Sequence, residues 1–125
     1  LEIYCNKFTA ISSFNSLFME LVNLRELTIN FRSKSINDDK LLFISKALSN
    51  LKLLRKLELS FFHSDISDTG VEYLNSALIR LKYLVTLHLT FFDSYHIEEG
   101  YDLLQASRSY WRYLEVFSLN IVGMF

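Results

Sequence analysis

The sequence predicts an α/β solenoid, with a curved parallel sheet on its concave side and helices on its convex side. Three observations lead there. First, one block recurs every thirty residues: Leu24-Arg25-Glu26-Leu27-Thr28-Ile29-Asn30-Phe31, then Leu54 to Phe61, Leu84 to Phe91 and Leu114 to Ile121. A fixed period of roughly 20–50 residues marks stacked supersecondary units. Second, apolar residues alternate inside each block, which is the period-two pattern of a strand with one buried face. Third, the intervening stretches switch to a helical period. Val71, Leu74, Leu78 and Leu81 fall at i, i+3, i+7 and i+10, and Ile44, Leu48 and Leu51 repeat the pattern one copy earlier. A strand-like segment in every copy argues against an all-helical repeat of similar period.

Residues 1–23 form a partial repeat four residues shorter than the others. Leu1, Ile3 and Cys5 match Leu27, Ile29 and Phe31, and Phe14, Phe18 and Leu21 match Ile44, Leu48 and Leu51. Cys5 reads as a core residue in the phenylalanine slot, not as a reactive thiol. Residues 24–53 form the first full repeat. Asn37-Asp38-Asp39 stands where its helix must start, and such side chains accept hydrogen bonds from the first free N–H groups and suit the positive end of the helix dipole. Capping explains this acidic pair better than a metal does.

Residues 54–83 are the most regular copy. Thr69-x-x-Glu72 has the spacing of a capping box, and Gly70 permits close approach at the turn. His63, Ser64, Asp65 and Asp68 put ligand-type residues together, but a metal site needs three or four convergent ligands, and a polar turn is the simpler reading. Residues 84–113 deviate. Their turn, Asp93 to Ile97, is one residue longer, Glu98 and Glu99 occupy the first helical turn, and Arg108 takes the slot of Leu48 and Leu78. Trp111 replaces Leu51 and Leu81 as core filling. With Tyr95, Tyr101, Tyr110 and Tyr113 it makes this copy rich in aromatics, a candidate second contact surface. Residues 114–125 supply a last partial repeat.

The unit L-x-x-L-x-L, a polar turn, a branched apolar anchor (Ile36, Ile66, Ile97) and a helix near Gly70 or Gly100 resembles the leucine-rich repeat family, in its ribonuclease-inhibitor-like, helix-containing form. The resemblance covers nearly the whole chain. It implies a single array and a function in protein binding. Two departures stand out. The family's turn Asn is missing, with Lys34, Ser64 and Ser94 near its place, and Phe31, Phe61 and Phe91 add a third inward strand position. Stacked phenylalanines are therefore expected to replace the Asn ladder. Neither end carries the polar cap that such arrays need, so this segment reads as part of a longer array.

Composition bounds the function. One domain is expected from 125 residues, half of them apolar. Thirteen basic against fourteen acidic side chains give a net charge of −1, which leaves no basic footprint for nucleic acid. There is no uncharged apolar run long enough for a membrane span. The single cysteine excludes an internal disulfide, and no Asn-x-Ser/Thr site occurs. Both favour an intracellular, cytoplasmic setting. His63 and His96 fall at turns and His88 on a strand, and no nucleophile–base or glycine-rich phosphate motif accompanies them. No enzymatic activity, cofactor, metal or small-molecule substrate is expected.

Strand alternation sorts inward from outward residues. The outward rungs are Glu26, Thr28, Asn30, Arg32; Lys56, Glu58, Ser60, Phe62; Thr86, His88, Thr90, Phe92; and Val116, Ser118, Asn120, Val122, with Glu2, Tyr4 and Asn6 before them. Arg32, Lys56, Glu58, Phe62, His88, Phe92, Asn120 and Val122 are the candidate partner-binding residues. Arg32, Phe62, Phe92 and Val122 would stack into one ridge, because neighbouring strands lie about 4.8 Å apart. The competing reading tucks the second Phe of each Phe-Phe pair under the turn as extra core. The expected function is a non-catalytic scaffold binding a protein partner through its concave face. The alternative is a substrate-recognition or regulatory repeat region of a larger enzyme, such as a ubiquitin-ligase receptor or a kinase.

Overall fold

The computed structural model describes residues 1–5, 11–32, 36–92 and 97–122. Five strands, β1 (Glu2–Cys5), β2 (Glu26–Arg32), β3 (Lys56–Phe62), β4 (Thr86–Phe92) and β5 (Val116–Val122), alternate with four helices, α1 (Ile11–Glu20), α2 (Asp38–Leu48), α3 (Asp68–Leu78) and α4 (Glu98–Ala106). A short 3₁₀ helix, Ser107–Tyr110, follows α4. The strands form one all-parallel sheet in the order of the chain, β1-β2-β3-β4-β5. The pairing keeps the sequence period: Leu27 lies beside Leu57, Leu57 beside Leu87, and Leu87 beside Phe117. The strand prediction holds in register as well as in place.

Alternation decides which face is buried. Leu27, Ile29 and Phe31, with Leu57, Leu59, Phe61, Leu87, Leu89 and Phe91, are fully buried or nearly so. They share one core cluster with the inward residues of the helices, Phe18, Leu41, Ile44, Leu74, Val71 and Leu104 among them. The helices therefore cover one face of the sheet, and α2 packs against α1 and α3. Inside this core Phe31 and Phe61 stack at 5.0 Å between ring centroids, and Phe61 and Phe91 at 5.2 Å. The expected phenylalanine column is present at the strand ends. Of the residues near the missing turn Asn, Ser64 is buried, while Lys34 and Ser94 lie outside the described residues. So do Asn6, Tyr95, His96 and the side chains of Cys5 and Phe14. The Cys5 backbone pairs with Phe31.

Two local expectations need correction. The apolar period predicts helices running through Leu51 and Leu81, but α2 and α3 end at Leu48 and Leu78. Leu51 and Leu81 are buried one turn later, each donating its N–H to the carbonyl of Leu48 or Leu78. Helical spacing continues through this tight turn, which is why the period overruns the helix. The capping box at Thr69 does not form. Ser67 is the N-cap of α3, its Oγ accepting from Thr69 N at 3.3 Å, and Thr69 lies inside the first turn. Ser67 is fixed there by its neighbour: its N–H donates to Asp38 Oδ1 at 2.9 Å and its hydroxyl to Asp38 Oδ2.

Asp38 is thus more than a cap of its own helix. Asn37 caps α2 by accepting from Lys40 N at 3.0 Å, which frees Asp38 to reach the next helix. Asp68 repeats the device, accepting from Gly100 N at 2.7 Å. Both glycines allow the close approach. A Cβ on Gly70 would collide with the Asp38 carboxylate, and one on Gly100 would lie 2.7 Å from Val71 Cβ. Trp111 is buried as expected and adds a bond, donating Nε1–H to the Leu78 carbonyl at 2.7 Å. Arg108, in the leucine slot, is exposed in the 3₁₀ segment, with its guanidinium 5.7 Å from the Phe117 ring.

Candidate functional site

No described helix packs on the second face of the sheet. Four columns of side chains run across it, set by strand register. Glu26, Lys56, Thr86 and Val116 form the first; Thr28, Glu58, His88 and Ser118 the second; Asn30, Ser60, Thr90 and Asn120 the third; Arg32, Phe62, Phe92 and Val122 the fourth. Glu2 extends the second column, and the Tyr4 backbone pairs beside Asn30. All eight residues singled out from the sequence lie on this face.

The fourth column is a contiguous ridge. The Arg32 guanidinium carbon sits 4.6 Å from the Phe62 ring centroid. Phe62 and Phe92 stack with centroids 4.3 Å apart and planes 10° from parallel. Val122 follows, 45% exposed. A cation held over an exposed ring contributes about 0.5–1 kcal/mol, so the ridge is partly ordered by its own contacts. Phe61 and Phe91 are core, while Phe62 and Phe92 stand across the sheet from them and are half-buried. Each Phe-Phe pair is divided by strand alternation between the two faces.

His63 closes β3 in the left-handed region, φ 57°, its N–H donating to the Phe92 carbonyl at 3.2 Å. The turn beyond it is also ordered by pairing between copies: Asn37 and Asp65 form a parallel bridge, and Asp65 N–H donates to Ile36 O at 2.8 Å. The polar cluster of this turn is therefore divided. Asp68 points to Gly100, and Ser64 is buried, its hydroxyl without a hydrogen-bond partner among the described residues. Among the described residues no three His, Cys, Asp or Glu side chains converge as metal ligands would. Glu58 and His88 are register neighbours, and Ser118 Oγ accepts from Asn120 Nδ2 at 3.0 Å.

At the other end of the strands lies a feature that sequence reasoning missed. Arg25, Glu26, Arg55, Lys56, Val85 and Thr86 line an open depression of about 410 Å³. Its floor is held by backbone: Arg25 O accepts from Arg55 N and Lys56 N, and Arg55 O from Val85 N and Thr86 N, at 2.7 to 3.0 Å. Lys56 was visible as an outward strand residue. Arg25 and Arg55 precede the strands, so strand alternation did not reach them. The available signal was their identity at one position in two successive copies. The aromatic surface expected near residue 110 exists in part: Tyr110 and Tyr113 are exposed, and Tyr113 stacks with Tyr83 at 6.2 Å.

The chain matches no family model, and no curated protein is significantly similar to it. Among the described residues no helix is long and apolar enough to cross a membrane.

Proposed function

We propose that this chain is a binding module of the leucine-rich-repeat type, a solenoid whose open sheet face is the concave surface that receives a protein partner. The observation that carries the reading is the ridge Arg32–Phe62–Phe92–Val122, an aromatic and cationic strip on a face that no described helix covers. Aromatic residues and Arg are the usual anchors of interfaces, and a half-exposed Phe stack adds nothing to the core on the other side. The adjoining column, Asn30, Ser60, Thr90 and Asn120, consists of short polar side chains, which suit a rim. The role is non-catalytic: a rigid sheet presents side chains at fixed spacing.

The test places a photo-crosslinking amino acid at Thr90, beside the ridge, in cells that make the protein. It compares wild type with the double variant Phe62→Ser, Phe92→Ser. The expected outcome is one dominant crosslinked protein that disappears in the double variant, while circular dichroism and the melting temperature of the variant stay near those of wild type. A crosslink pattern unchanged by the double substitution defeats the reading. A variant that unfolds shows instead that the two rings are structural.

A further inference from the structure

The open face is polarised along its strands. Arg25, Arg55 and Lys56 surround one depression with a single carboxylate, Glu26, so its lining carries three positive charges against one negative, in a chain whose net charge is −1. All three cations are exposed, and no ion pair joins them to a carboxylate among the described residues. Lys56 lies beside Glu26 in the strand register, while Arg25 and Arg55 stand one repeat apart at the same position, so the positive excess of the depression rests on the two arginines. Farther along the strands comes a mixed column with Glu58 and His88, then the Phe62–Phe92 ridge. From Lys56 to Phe62 is six residues, about 20 Å along a strand.

Resting on the protein-binding reading above, we propose that the occupant of this face is an acidic segment of a protein partner. Its carboxylates lie on Arg25, Arg55 and Lys56, and an apolar side chain about 20 Å away packs on Phe62 and Phe92. Charge complementarity of this kind raises association rates and selects partners more than it adds affinity. A nucleic-acid backbone fits less well. It carries charge continuously, and Glu26 and Glu58 stand in its path, whereas a peptide places its carboxylates only where the cations are.

The probe is a dye-labelled peptide with a run of glutamates and, six residues on, a tryptophan, read by fluorescence anisotropy against the purified chain. The acidic probe is expected to bind, to weaken steeply with added NaCl, and to lose about tenfold or more in affinity to Arg25→Glu, Arg55→Glu. Phe62→Ser, Phe92→Ser should weaken it too, with less change in salt dependence. A lysine version of the probe should not bind. The proposal is overturned if the acidic probe fails to bind, if the lysine probe binds equally, if the arginine variants bind unchanged, or if single-stranded polyuridine binds more tightly than the peptide. The Thr90 crosslink separates the two claims. Loss of the partner in the ridge variant with retention in Arg25→Glu, Arg55→Glu sinks the acidic-partner proposal and leaves the binding module standing.

Discussion

At the scale of single residues, Asp38 and Asp39 are neighbours with different work. Both fall in the first turn of α2, where either carboxylate favours the helix dipole. Only Asp38 reaches the next helix, accepting two hydrogen bonds from Ser67. Asp38→Ala should therefore cost about 1–3 kcal/mol, the range for losing hydrogen bonds to a charged group that is partly shielded from water. Asp39→Ala, at an exposed site, should stay within about 0.5 kcal/mol. Urea unfolding of the two variants measures the difference, and equal midpoints would remove the bridging role. The sequence displayed an Asn-Asp-Asp run and its helix-start meaning. It did not display the division of labour, because a thirty-residue separation between donor and acceptor is invisible without the stacking.

At the scale of elements, equivalent strand positions differ in cost because of what covers them. Leu57 and Leu59 on β3 have no exposed surface, while Leu119 on β5 is only partly buried. Leu57→Ala or Leu59→Ala should destabilise by about 2–5 kcal/mol, and Leu119→Ala by distinctly less, as measured by chemical unfolding. Equal losses would mean that β5 is covered as well as β3. The same comparison explains α4. Its third inward slot holds Arg108 where α2 and α3 hold Leu48 and Leu78, and the helix gives way to a 3₁₀ turn after Ala106. Trp111 then restores packing and gives the Leu78 carbonyl a second donor beside Leu81 N–H.

For the molecule as a whole, stability should be graded along the stack. Each strand pairs only with its sequence neighbours, so β3 has paired copies on both sides while β1 and β5 each pair with one described strand. Units that lean on neighbours open most easily where they have fewer of them. Hydrogen exchange should find the β3 amides slowest and those of β1 and β5 fastest. Uniform exchange across the sheet would indicate a single cooperative unit instead. Such a graded stack keeps its rigid centre under Lys56, Glu58 and Phe62, where the proposed contacts concentrate.

The sequence by itself determined the element order, the strand register and the identity of the core. A thirty-residue period and a two-residue alternation are local patterns, and each is written in apolar residues whose burial drives folding. It also named the ridge, because alternation places Phe62 and Phe92 opposite Phe61 and Phe91. The tertiary structure decided what depends on distance between copies: the Asp38 and Asp68 bridges, the capping of α3 by Ser67 and the gathering of Arg25 and Arg55 beside Lys56. Those features arise from side chains thirty residues apart meeting across a gap of one strand or one helix, a proximity that hydrophobic pattern fixes only after the copies have stacked.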